Sequence, residues 1–168
     1  MLATPSLREL TRPAHHAAEQ HPVGAAMADG TISADWWSLW CAALLPVHAI
    51  LDLHSPASIH RTAELISDLH AGPVVPISQE ALAYARTLTT PDAIDGAVYV
   101  FTGAHLMGGA VIAKRVGDRL PCAHLHWADR RQAIADWSPL RGRWQLQAQA
   151  DAAFSAIGRI MEDIVRTR

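Results

Sequence analysis

Apolar positions along this chain recur at intervals of three and four, with no run of strict alternation that would make a strand. The first periodic segment opens with Thr4 before Pro5, an N-cap followed by proline at the first helical position, and Ser6 and Glu9 stand at the spacing of a capping box. This predicts a helix to about Gln20, broken by His21-Pro22-Val23-Gly24. A second helix starts near Ser33 or Asp35 and carries Trp36, Trp37, Leu39, Trp40, Leu44, Leu45, Ile50 and Leu51. It is apolar on most sides and therefore central, with a kink or break at Pro46. A peripheral helix runs from Ser58 to about His70 and ends before Gly72-Pro73, and another covers Ser78 to Leu88. Pro91 and Asp92 open a long apolar helix through Arg115 that is rich in glycine, and Pro121 closes that region. Trp127 to Trp137 reads as a short helix and Pro139 to about Arg166 as a long final one. The expectation is an all-α bundle.

A length of 168 residues, half of them hydrophobic and 18% charged, suits one domain over residues 1–168 with a core of its own. A net charge of −2 offers no basic face for nucleic acid. Cys41 and Cys122 are too few for a disulfide framework and read as free thiols of a reducing compartment. The N-terminus has no basic region leading into a long apolar run, so a cytoplasmic protein is expected. Trp36 to Leu53 approaches the length of a membrane span, but Pro46, His48 and Asp52 interrupt it, and a buried core helix is the better reading.

On the first helix, Arg8, Arg12, His15 and Glu19 fall within about 60° of one another around the axis. The opposite side carries Leu7, Leu10, Ala14, Ala17 and Ala18 for packing. A neutral imidazole is a good iron ligand, and the two guanidiniums lie roughly 5 to 10 Å along the axis from it. On spacing alone such a stripe is more often a solvated helix face. Elsewhere, Cys122, His124 and His126 are metal-ligand types but fit no strong zinc spacing, and His48, His54, His60 and His70 read as satisfied or solvent-facing. The six tryptophans read first as core.

Residues 7–19, LRELTRPAHHAAE, resemble the opening helix of heme oxygenases, where a leucine, a basic residue, glutamate, threonine and a second basic residue lead to the proximal histidine. The resemblance implies an all-α single domain with heme between its first helix and a glycine-bearing distal helix. In that register His15, and not His16, is the iron ligand, Glu19 accepts from its other ring nitrogen, and Arg8 and Arg12 face the propionates. Pro13 departs from a comfortable helix interior and implies a slight kink just before the ligand. Residues 99–115, YVFTGAHLMGGAVIAKR, are similar to the distal helix, with Tyr99 as its tyrosine and Gly103, Gly108 and Gly109 as backbone that approaches a flat macrocycle. Many members carry an aspartate there that anchors the water network delivering protons. Aligned on Gly108-Gly109 that position is His105, and aligned on Gly103 it is Ala104; the carboxylate is missing either way. His105 then either donates through water or binds iron directly. Asp151-Ala152-Ala153-Phe154 resembles the last core helix, where a phenylalanine packs behind the heme, and Arg130 or Arg131 offers a further propionate contact.

The resemblance implies an enzyme for which heme is both substrate and cofactor, opening the ring to biliverdin with release of carbon monoxide and iron. No G-x-G-x-x-G motif for a nicotinamide or flavin is present, so electrons come from an external donor, a reductase, a ferredoxin or a small reductant. Two rivals remain at this level: a heme-binding sensor, carrier or scavenger without turnover, and an unrelated activity on the same scaffold, as in thiaminase-like relatives.

Overall fold

Ser6 begins the first helix as its sequence requires. Its hydroxyl accepts from the Glu9 N–H while the Glu9 carboxylate accepts from the Ser6 N–H at 2.7 Å, a complete capping box that opens α1 (Leu7–Gln20). The computed structural model describes residues 5–167, so the Thr4 cap lies outside the described residues. Leu7 and Thr11 turn inward, and the Thr11 hydroxyl bonds back to the Leu7 carbonyl.

The expected break at residues 21–24 is instead a junction between two helices. His21 has extended backbone, closes α1, and caps α2 (Pro22–Asp29) by accepting from the Val23 N–H, with Pro22 at the first helical position. Proline punctuates a helix start as well as a stop, which is why this short element was hidden in the pattern. Gly24 lets α2 lie directly on the backbone of Ala18, and Gly30, at φ 72°, ends it in the left-handed conformation.

α3 (Ala34–Leu51) starts at the Ser33 cap and continues through Pro46 without a break. Eleven of its residues are buried, among them Trp37, Leu44, Val47 and Leu51, so its membrane-like composition is that of a core helix. It packs on α4 (Thr62–Ala71), α5 (Gln79–Ala85) and α9 (Gln147–Arg166), and α9 in turn packs on α1 and α6 (Pro91–Ala97). Together α3 and α9 are the centre of the bundle. A single turn at 57–59 precedes α4, and two single-turn segments at 138–142 and 144–146 replace the expected first stretch of the last helix.

The long helix from Pro91 is interrupted. A wide π turn, Val98–Thr102, with all five residues buried, separates α6 from α7 (Gly103–Val116). An extra residue in one turn rotates the helix downstream of it, so α7 presents a different face from the one a continuous helix would. Its inward side is held by two close approaches. A side chain at Gly103 would come within 2.6 Å of the Trp137 ring, at the end of α8 (Arg130–Trp137), and one at Gly109 within 3.2 Å of Leu125. Tyr99 stacks on Trp137 at 5.7 Å, and the Trp137 indole N–H donates to the Tyr99 carbonyl. No strand occurs among the described residues.

Gly108 differs from those two glycines, because a side chain there would meet nothing within 4 Å. Gly103→Ala should therefore destabilise the protein by about 1–3 kcal/mol through overpacking. Gly108→Ala should be neutral or stabilising by up to about 1 kcal/mol through helix propensity. Denaturant midpoints of the two variants check the contrast, and equal losses would contradict the assigned faces of α7.

Candidate functional site

The polar stripe of α1 is as the sequence drew it. Arg8, Arg12, His15 and Glu19 are all exposed, and Leu7 is buried with Leu10, Ala14 and Ala18 half-buried, but Ala17, expected on the packing side, is exposed. The Glu19 carboxylate lies 3.6 Å from His15 Nδ1, one turn away, and 4.0 Å from that of His16. Phe154 of α9 meets the His15 ring edge-on at 5.9 Å between centroids. His15 is thus backed by a carboxylate on one ring nitrogen and steadied by an aromatic ring, with 56% of its side chain exposed. An exposed imidazole placed in this way could hold a metal ion outside the helix.

The outer face of α7 is apolar and open. Ala104, Met107 and Val111 are exposed at helical spacing, with Met107 and Val111 at 53% and 57%, and Gly108 leaves bare backbone among them. α7 packs on α2, on α8 and on the 123–125 turn, and α1 packs on α2 and α9. α2 is their common neighbour. A face of this kind admits a flat macrocycle where a side chain at 108 would stand in the way.

The other site residues read from the sequence have different places. Gly103, Gly109 and Tyr99 belong to the packing of α7 on Trp137 and Leu125. Arg130 donates to the Leu106 carbonyl at 3.0 Å, on the side of α7 away from Gly108. His126 Nδ1 pairs with the Cys122 carbonyl at 2.9 Å, and no group of three metal-ligating side chains converges among the described residues. Burial pushes the Cys41 thiol well above its ordinary range, so it is not a nucleophile.

Sequence reasoning missed the interior behind α7. His105 is 5% exposed and stacks on His48 of α3 at 5.0 Å, with the rings 21° from parallel. On its other side it meets His124 edge-on at 5.1 Å. His48 is therefore no solvent-facing residue: it is fully buried and neither ring nitrogen has a partner, and His105 Nδ1 and His124 Nε2 are likewise buried and unpartnered. Each such group costs about 1–3 kcal/mol of desolvation, too much to be incidental three rings in a row. The signal was present only as unremarkable single histidines on separate helices.

Asp68 of α4 anchors this cluster. Its carboxylate takes His124 Nδ1 at 2.5 Å and the backbone N–H groups of Ala123 and His124 at 2.7 and 3.0 Å. Burial alone would raise the Asp68 carboxyl, but the His124 ring and the two N–H donors outweigh it and hold the group below its ordinary range. Arg61 fastens the same segment, donating to the His126 carbonyl at 2.7 Å while lying 3.8 Å over the Trp127 ring.

Two clefts lie elsewhere. The larger, about 710 Å³, runs between α1 and α9 past Ala14, Ala18, Phe154 and Gly158, and its charges are already paired as Arg159 with Glu80 and His21 with Glu162. The smaller, about 390 Å³, lies by Leu106, Lys114, Trp127 and Arg130. Neither includes His15 or the open face at Gly108.

The solved structure of heme oxygenase-1 from the cyanobacterium Synechocystis sp. PCC6803 in complex with heme superposes with a TM-score of 0.78 over 95% of this chain and 89% of that one, at 18% identity. Heme oxygenase-2 from Synechocystis sp. PCC 6803 in complex with heme and NO gives 0.80 over 94% and 83%, at 19% identity. Heme oxygenase from Leptospira interrogans gives 0.77 over 92% and 96%, at 16% identity. The chain has the heme oxygenase fold. No family model matches the sequence, and no curated protein matches it. The heme oxygenase fold is thus carried here by a sequence far from those of its solved neighbours.

The buried histidines make acid stability a direct test of the cluster. Burial pushes His48 down to about 3 against an opposing pull from Asp52, with lesser contributions from His124 and Arg61, and burial with its histidine neighbours pushes His105 well down. The unfolded chain takes up these protons near pH 6.5 and the folded chain does not. The stability they contribute is therefore complete above about pH 6.5 and lost as pH falls towards 3, at up to about 1.4 kcal/mol per pH unit for each ring. Chemical denaturation between pH 7 and 5 should show that slope in the wild type and a shallower one in His48→Leu. Equal slopes would place His48 in contact with water.

Proposed function

We propose that this chain binds heme between α1 and the outer face of α7 and opens it oxidatively to biliverdin, with release of carbon monoxide and iron and with electrons from an external donor. The observation that carries this reading is the pairing of His15, exposed and backed by Glu19 and Phe154, with a bare Gly108 backbone on an apolar helix face, in the heme oxygenase fold. Two of the solved neighbours are complexes with heme.

Bound heme would supply the iron that activates dioxygen and the ring that is opened. Everything else falls to the protein. His15 would hold the iron, and Glu19, 3.6 Å from its Nδ1, would keep the proton on that nitrogen and raise the basicity of the ligand. Arg8 and Arg12, toward the N-terminus of the same exposed stripe, would take the propionates. The exposed apolar side chains Ala104, Met107 and Val111, with Gly108 among them, would pack on the macrocycle. One observation favours a second reading, heme binding without turnover: no carboxylate stands at the position of His105 or Ala104 on α7.

Hemin titration and then a reductant in air separates these readings. Decay of the Soret band into a biliverdin spectrum is expected, and a stable spectrum would favour the binding protein. His15→Ala should abolish the native Soret spectrum with the helical circular dichroism intact, because an exposed position contributes little to the core, while His16→Ala changes neither. Arg8→Ala with Arg12→Ala should weaken heme affinity, each charge-assisted contact contributing about 1.5–3 kcal/mol. Unchanged titrations in these variants would return the stripe to a solvated helix face.

A further inference from the structure

Three buried rings with unpartnered nitrogens, ending on a carboxylate, lie directly behind the helix whose outer face is proposed to meet heme. They do not suit a metal. His48 and His105 lie nearly parallel, so their nitrogens point along similar planes and not at a common point, and no convergent ligand group occurs among the described residues.

What the arrangement suits is a proton. Asp68 accepts from three donors and can give none, so the His124 hydrogen sits on Nδ1 and its Nε2 carries a free lone pair in the interior. Of the three rings only His124 has a carboxylate against it, so only there is an added proton paired with an opposite charge. The next orphaned nitrogen is Nδ1 of His105, on a ring whose centroid is 5.1 Å away. Neither nitrogen is within hydrogen-bond distance of the other, so transfer between them runs through one bridging water. On α7, His105 and Gly108 are three residues apart and hence neighbours on the helix surface, one turned inward and the other bare toward the outside.

Resting on the function proposed above, we infer that Asp68, His124 and His105 form a buried proton-transfer chain through the back of α7. Asp68 and His124 hold the proton, and His105 passes it beside Gly108 to the outer face. The chain fills and empties by one route: a proton from solvent hydronium enters at Nε2 of His105 as the Nδ1 proton of that ring passes to Nε2 of His124, which then pairs as an imidazolium with Asp68. The reverse movement returns the proton to the outer face and restores both tautomers. No electron moves. Asp68 is the positioning residue, setting the tautomer of His124, and His105 replaces the missing carboxylate from inside the fold. The charged and titratable groups around the chain are Cys41, His48 and Asp52 on or just after α3, Arg61 at the start of α4, and Cys122 beside Asp68.

The test begins with the apo protein. Long-range proton–nitrogen NMR at neutral pH should show His124 protonated on Nδ1, and Asp68→Asn, whose amide donates where the carboxylate accepted, should move that proton to Nε2. With hemin bound and the Soret spectrum unchanged, Asp68→Asn, His124→Gln and His105→Phe should each slow ring opening at least about tenfold, against the roughly 10²–10⁴ that a positioned acid contributes. The solvent deuterium effect should also change. His124→Gln keeps a donor to Asp68 and stands in if Asp68→Asn fails to fold. A wild-type His124 protonated on Nε2 and not on Nδ1 overturns the inference, as does wild-type ring opening and isotope effect in the variants. If the wild type binds no hemin, or binds it without ring opening, the functional reading itself has failed and the chain has no destination. If the wild type opens the ring and the variants do so equally well, only the transfer chain is lost.

Discussion

The rotation of α7 about its own axis governs the rest of the structure. Gly103 admits the Trp137 ring at a distance no side chain would allow, and Gly109 admits Leu125 where a side chain would fit only if the leucine gave way. With those two approaches made, the π turn before Gly103 takes up the mismatch with α6. His105 is then inside and Ala104, Met107, Gly108 and Val111 are outside. A rotation by one residue, about 100°, would in one sense put His105 where the exposed Ala104 stands and in the other put Gly108 where the buried Gly109 stands.

That single constraint joins two sites of opposite character. The outer one is open and built from small or flexible apolar groups, while on the inward side stand three histidines, two of them fully buried and His105 5% exposed. Such an interior is costly, and it is held together by Asp68, whose three donors come from one short segment, Ala123 and His124. The pair of Asp68 and His124 thus fixes a surface turn and orients an imidazole at the same time. Arg61 clamps the same turn from its other end through the His126 carbonyl and the Trp127 ring. α4, expected to be peripheral, in this way supports the back of α7.

α1 is simpler. Its stripe of Arg8, Arg12, His15 and Glu19 points away from the core, so its function depends on what approaches it and not on what it packs against. Phe154 reaches His15 from the interior side. The distance in sequence between this chain and its solved neighbours, at 16–19% identity, leaves the fold as what they share.

The sequence by itself determined what depends on neighbours along the chain. The capping box of Ser6 and Glu9, the Ser33 cap, the apolar length of α3 and the one-sided stripe of α1 all arise from residues within a turn or two of each other, and each is where the pattern put it. Tertiary structure decided the rest, because it depends on residues far apart. Whether a glycine admits a ligand or a tryptophan is set by what comes to it from elsewhere: Gly103 and Gly108 look alike in sequence and differ because Trp137 arrives at one and nothing at the other. His48, His105 and His124 are likewise unremarkable until α3, α7 and the 123–125 turn are packed together. Periodicity records which side of a helix is apolar, but not which distant polar groups will share its buried side.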